Sequence, residues 1–383
     1  MFSTIGKISS FFLLISLSIS PIKLIAQDYK GFNKKIARII KKHDIPGLSI
    51  AIVKDGEIQY KKAYGYRSEA EKKVINEESL FQAGTLSQGL LAMAIYKEVQ
   101  DGTYDLNANI NDYLRNWKVR KSSITEDNPV SIFHLLSHNA GINIKQFDAY
   151  HESENMASLI DILNGKGNAL NKKVLPTKRP GASFRYSSGA FAILQQLIVD
   201  TKKESFESYM KTSILDPLGM KQSRFDQPKG KFLKSFSNAA YGHNDEGVFF
   251  GKRPLYTTTG ASGLWTTPTD LAKVIIQIQA ALQGENEFIL SPETTTIMLE
   301  SISPTQQENI AFSLGFYNYI RKNESFFGYH GSSAGFSAMM IGHKSDDYGA
   351  VIMLNKQTEN SLLEHDIRLE IISLISDYFD WNF

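Results

Sequence analysis

Four consecutive positions, Thr85-Leu86-Ser87-Gln88, place two hydroxyls and an amide at a helix start directly after Gly84. The stretch that follows, Leu90 to Tyr96, is apolar on every side, which predicts a helix buried along its length. Its N-terminus then lies inside the protein, where unpaired N–H groups and the positive end of the helix dipole suit a hydroxyl nucleophile or an anionic group. Thr85 occupies that point. A second reading competes with catalysis. Thr-x-x-Gln is also a capping box, the threonine oxygen accepting from the Gln88 N–H while the glutamine side chain reaches back. Taken alone, the four residues favour the cap.

Three other patterns carry chemistry on paper. Gly331-Ser332-Ser333-Ala334-Gly335 fits Gly-x-Ser-x-Gly, but that elbow must lead from strand into helix, and Phe336 onward alternates like a strand. His134 and His138 have the spacing of a helical metal pair yet lack the glutamate of His-Glu-x-x-His and an evident third ligand, so they are expected to be structural. Ser208-Tyr209-Met210-Lys211 has the spacing of a serine with a lysine one turn on, but no glycine and no buried helix start precede it. No metal or cofactor is called for.

The elements that must position a site begin after residue 26. Residues 1–26 fit a secretory signal, with Lys7, the apolar run Phe11 to Ile19, a break at Pro21, and Leu24-Ile25-Ala26 before Gln27. An uncleaved anchor is the alternative, but the run is short for a bilayer span of roughly 20 residues, and no other segment qualifies. An exported chain, periplasmic or secreted and without a transmembrane segment once mature, is the expectation. With 42 basic and 40 acidic residues the net charge is +2, which gives no reason to expect nucleic acid as a partner. The absence of cysteine removes disulfides and thiolate chemistry.

Phe32, Ile36, Ile39 and Ile40 mark the buried face of a first helix, its lysines solvated on the other side. Leu48 to Val53, the turn Lys54-Asp55-Gly56, and Ile58 to Tyr60 predict a hairpin. Near the other terminus, Phe336 to Ile341 and Tyr348 to Leu354 predict two more strands, followed by a helix bearing Leu362, Leu363, Ile367, Ile371 and Ile375. Between them helical periodicity dominates from Leu90 to about Leu282. The expected fold is α+β: one antiparallel sheet flanked by the terminal helices, about 27–80 and 285–383, with an inserted helical lobe over about 81–284.

Several segments, in this order, resemble the serine β-lactamase and penicillin-binding-protein superfamily, specifically its branch of class C β-lactamases, D-alanyl-D-alanine carboxypeptidases and esterases. They are Thr85 to Gln88, Leu135-Leu136-Ser137-His138-Asn139-Ala140-Gly141, Tyr186-Ser187-Ser188, Pro217-Leu218-Gly219-Met220, Gly260 to Leu264 with Asp270-Leu271-Ala272, and His330-Gly331-Ser332. The resemblance implies Ser-x-x-Lys where this chain has Thr85 and Gln88, and Tyr-x-Asn where it has Tyr186 and Ser188, the tyrosine shuttling a proton and the third residue binding substrate. It places His330, Gly331 and Ser332 on the Lys-Thr-Gly or His-x-Gly segment lining the site. The backbone N–H groups of that strand and of Thr85 are expected to form an oxyanion hole. Ser332 adds bulk where the family has glycine.

An aliphatic hydroxyl needs a base or a nearby positive charge to attack, and an amide at position 88 supplies neither. Three functions follow as expectations. The first is a binder of a peptide-like or acyl ligand, such as a peptidoglycan-derived one, with impaired acylation. The second is a hydrolase in which Tyr186 and His330 activate Thr85, or Ser87 replaces it. The third is an interaction protein with a closed cleft.

Overall fold

The computed structural model describes residues 29–68, 70, 72–248, 251, 253–284, 289–358 and 366–383. The segment read as a signal lies outside them, as do Leu362 and Leu363 of the expected terminal helix.

The first helix, α1 (Lys30–Lys42), buries Phe32, Ile36 and Ile39 as their spacing requires. It enters the hairpin β1 (Gly47–Lys54) and β2 (Glu57–Ser68). Asp55 and Gly56 both take positive φ, 54° and 70°, which two-residue turns matching strand twist demand. Then come β3 (Lys73–Val74) and β4 (Phe81–Gln82), the site helix α2 (Ser87–Gln100), α3 (Ser188–Lys202), β5 (Trp265–Thr266) and α4 (Pro268–Leu282). The chain ends with β6 (Ser303–Pro304), β7 (Ile310–Phe312), β8 (Tyr317–Arg321), β9 (Glu324–Ser333), β10 (Phe336–His343), β11 (Gly349–Leu354) and α5 (Ile367–Phe379).

Among the described residues nine strands form one antiparallel sheet in the order β3-β2-β1-β11-β10-β9-β8-β7-β6. The two ends of the chain meet at its centre, where β1 pairs with β11 from Leu48↔Leu354 to Val53↔Gly349. Strands β10 and β11 are buried at every position, because helices cover both faces. On one face α1 and α5 pack together, with the Phe32 and Tyr378 rings 5.1 Å apart and Lys42 bonded to Glu370 at 2.9 Å. On the other, Ile275 of α4 lies over Gly342 and Gly349, where a Cβ would come within 2.9 Å of it.

The expected α+β class holds, with both ends of the chain in one antiparallel sheet. Two features depart from expectation. The inserted segment is not all helical, because β4 and β5 pair as a two-stranded sheet with Phe81↔Thr266 and Gln82↔Trp265. His330, Gly331 and Ser332, which the sequence places just before the strand starting near Phe336, themselves end β9, a full partner of β10. Among the described residues no helix is long and apolar enough to cross a membrane.

Candidate active site

The turn that carries Thr85 rests directly on β9, and two glycines permit it. Gly84 adopts φ +55°, and a Cβ there would lie 2.4 Å from the Ser332 carbonyl oxygen. Across the contact, a Cβ on Gly331 would lie 2.0 Å from the Ala83 carbonyl oxygen. Side chains at either position would pry turn and strand apart. Held this close, the Thr85 hydroxyl donates to the His330 carbonyl at 3.3 Å and accepts from the Ser332 N–H at 3.4 Å. The expected strand donor therefore faces the candidate nucleophile.

Gln88 does not cap the helix. A short 3-10 turn over Gly84–Leu86 runs into α2, and its backbone bonds occupy the helix start with no side-chain cap. The capping-box reading is overturned because the amide has other partners. Its Nε2 donates to the Tyr186 hydroxyl at 2.9 Å, the Ser188 hydroxyl at 3.3 Å and the Ala261 carbonyl at 3.3 Å, while its Oε1 accepts from Tyr329 at 2.7 Å. Gln88 is 0% exposed, so a buried amide with every polar atom bonded is stable there.

Ser87 donates to the Gly84 carbonyl at 2.6 Å and accepts from the Leu264 N–H at 3.0 Å. Fully buried and bonded to backbone, it braces the turn rather than offering a replacement nucleophile. Ser188, at the start of α3, is also 0% exposed and turned toward Gln88, so its hydroxyl does not reach an open cleft as substrate binding would require.

Tyr186 is half-buried and fixed from behind. Ser187 caps α3 through Ala190, and its N–H donates to His138 Nδ1 at 3.2 Å. The His138 ring lies 4.5 Å from the Tyr186 ring, which gives that histidine the expected structural role. His134 likewise completes a cap on Ser131. Among the described residues no group of three or more His, Asp or Glu gathers for a metal. Ser208 bonds Glu204, and Lys211 pairs with Asp216, both exposed.

Thr85 hydrogen-bonds the His330 carbonyl, while the His330 ring is engaged elsewhere. Its Nδ1 meets the Tyr319 hydroxyl at 3.2 Å, and Tyr317 lies 4.5 Å away ring to ring. Burial, with Arg368 nearby, pushes its pKa down to about 3, so the imidazole is neutral and a poor base at pH 7. Burial raises Tyr186 above its usual value, although hydrogen bonds from Tyr329, Thr85, Ser188 and Gln88 oppose the shift. The phenol keeps its proton. None of the groups bonded to Thr85 or Gln88 carries a charge at neutral pH.

A cleft of about 290 Å³ opens beside Ser332, its walls including Phe147, Asp148, Tyr256, Ser332, Ser333 and Gln357. Ser332 does stand in this space, where the family has glycine. Ser333 ends β9 just before a strand-to-strand turn, which rules out the Gly-x-Ser-x-Gly elbow, although its buried hydroxyl has no partner among the described residues. The Tyr329 hydroxyl is a site group that motif reading missed, and the Ala261 carbonyl belongs to the Gly260 to Leu264 segment, to which the sequence reading gave no role in the site. Tyr329 directly precedes His330, and an aromatic residue there was the available signal.

Burial lowers the pKa of His138 to about 3 as well. Unfolded, each of these two histidines takes up a proton near pH 6.5; folded, neither does until about pH 3. Their neutral burial is therefore fully compatible with the fold above pH 6.5 and costs stability as pH falls, about 1.4 kcal/mol per pH unit for each. By pH 5 this reaches about 2 kcal/mol per histidine. The urea midpoint should drop between pH 7 and pH 5, and drop less in His138→Asn. Equal midpoints at the two pH values would refute the assignment.

The chain belongs to the Beta-lactamase family, which it matches over residues 32–373. It is 25% identical over 356 residues to Protein flp of Staphylococcus aureus strain N315, covering 90% of this chain but 66% of that protein. It therefore spans just under two thirds of that relative's length. It is also 25% identical over 353 residues to a Staphylococcus aureus Teichoic acid D-alanine hydrolase, covering 90% of this chain and 79% of the relative. In fold it is similar to the octameric penicillin-binding protein homologue from Pyrococcus abyssi, with a TM-score of 0.74 and 22% identity over 93% of this chain and 78% of that one.

Proposed function

We propose that this protein binds an acyl or peptide-like ligand carrying an amine in the cleft lined by Ser332, whose N–H bonds the buried Thr85, and does not efficiently transfer its acyl group. One observation carries the reading: a neutral amide, Gln88, bridges Tyr186 and Tyr329 where acyl transfer needs a proton acceptor or a charge. Loss of general-base help costs about 10²–10⁴-fold. The oxyanion donor on β9 needs only backbone, so a cleft complementary to a carbonyl survives the change. Asp148 supports an ammonium-bearing ligand, because it places a carboxylate in the cleft wall. A D-alanyl ester has that chemistry, and the name of the Teichoic acid D-alanine hydrolase points the same way. Export to the periplasm or medium belongs to this proposal, on the strength of residues 1–26.

The test combines intact-mass spectrometry after a fluorophosphonate or penicillin probe with calorimetric titration of D-alanine methyl ester. The wild type should show no adduct, and should bind the ester about tenfold more tightly than Asp148→Asn, a loss typical of one charge-assisted hydrogen bond. An adduct on Thr85 would refute the inert site. Equal binding by the two proteins would remove the amine from the proposal.

A further inference from the structure

A second cavity, of about 370 Å³, lies apart from the Thr85 turn. Among the described residues its wall brings together Arg67, Lys73, Glu152, Ser237, Tyr241 and Arg253, three cations and one carboxylate. They come from separate parts of the chain: Arg67 and Lys73 from the β2–β3 hairpin, Ser237 to Arg253 from the segment before β5, and Glu152 from the insertion.

Arg253 is the informative residue. It is 6% exposed, its guanidinium sits 4.0 Å over the Tyr241 ring, and Nη2 donates to the Ala239 carbonyl at 3.1 Å. Its Nε is buried and has no hydrogen-bond partner among the described residues. A buried guanidinium donor left unsatisfied is costly, and such a group persists where something else accepts from it. Burial above all lowers the pKa of Arg253 and Arg67 adds to the shift, while Tyr241 and Glu152 act the other way. The Arg67 Nη1 donates to Asn238 at 2.6 Å, which fixes that side chain in place.

A planar guanidinium fork beside a second guanidinium and an ammonium is the donor set that oxygens of a phosphate group accept from. We propose that this cavity is a phosphate-binding site, taking a phosphate ester through Arg253, Arg67 and Lys73. Its position makes an ester within a longer molecule the favoured source. Arg253 is three residues from Tyr256 in the cleft wall, at most ~11 Å of extended chain. On the other side, Tyr241 is two residues from His243, whose N–H donates to the Gly335 carbonyl at 3.2 Å beside cleft residue Ala334. A ligand with a cation for Asp148 and a phosphate a few bonds away would span both cavities.

Calorimetric titration of the full chain with a glycerol-phosphate oligomer, inorganic phosphate and glycerol, and sedimentation with anionic phospholipid vesicles, test this. The oligomer should bind saturably, glycerol should not, and Arg67→Gln with Lys73→Gln should weaken oligomer binding about tenfold or more with an unchanged thermal midpoint. Lys73 is exposed and Arg67 half-buried, and glutamine at 67 keeps a donor for Asn238, so folding should survive; Arg253→Lys, which keeps the charge but not the fork, should weaken binding too. A cation-dependent response to inorganic phosphate or vesicles alone would keep the phosphate site and identify free phosphate or a lipid headgroup as its source. Equal binding of every phosphate probe by wild type and variants would overturn the site. Because the readout is heat or sedimentation and not turnover, an adduct on Thr85 would refute the proposed function and leave this result standing.

Discussion

Thr85→Ser combined with Gln88→Lys should react with a fluorophosphonate about 10²-fold or more faster than the wild type, the lower end of what general-base assistance contributes. The surroundings of position 88 already suit a lysine. Its amide nitrogen now donates to Tyr186, Ser188 and Ala261, and an ammonium has three protons for the same three acceptors. Tyr329 loses the Gln88 oxygen as its acceptor, the one bond at this position that a lysine does not replace. A cation beside Tyr186 favours the phenolate, opposing the burial that now holds the proton on it. Serine removes the β-methyl from a hydroxyl wedged between the His330 carbonyl and the Ser332 N–H, and so frees its rotamers. The two changes act on one proton transfer, so their combined effect should exceed the product of the single ones. Rates of adduct formation for wild type, both single variants and the double variant provide the measurement. If the double variant is no faster than the wild type, the obstruction lies elsewhere, with Ser332 in the cleft wall the first place to look.

What could be read from the chain followed the range of the forces involved. The β1–β2 hairpin was legible because Asp55-Gly56 advertises positive φ, and α1 because its apolar residues recur at helical spacing. The β8–β9 hairpin was not. Its turn uses Lys322 and Asn323 at φ 47° and 66°, left-handed positions without the glycine that usually marks them. The site divided in the same way. Order along the chain identified Thr85, Tyr186 and His330, and the structure brings their segments together. The orientation of Gln88 was misread because a capping box is judged from four neighbouring residues. Its actual partners lie 98 positions away at Tyr186 and 241 away at Tyr329. Local pattern favours a cap; long-range packing supplies four bonds, and it prevails.

Behind the site, Asp366→Asn should destabilise the protein by about 3–5 kcal/mol, the cost of leaving one member of a buried ion pair alone. Arg368 on α5 is 0% exposed and the Asp366 side chain 3%. The guanidinium meets the carboxylate through Nε and Nη2, and extends Nη1 to the Gly331 carbonyl at 3.2 Å and the Ala338 carbonyl at 3.4 Å. One side chain thus ties the last helix to β9 and β10. The Gly331 carbonyl shares a peptide with the Ser332 N–H that faces Thr85, so the charge on Arg368 also polarises that donor through a single planar unit. Asparagine would return only part of the carboxylate's acceptor capacity and none of its charge. The exposed pair Lys211–Asp216, 63% and 53% exposed, provides the contrast, since removing it should cost no more than about 1 kcal/mol. Urea unfolding should shift by about 1 M or more for Asp366→Asn and barely for Asp216→Asn. Equal midpoints would mean that the guanidinium is neutralised from elsewhere and that the strand beneath Thr85 does not depend on this pair.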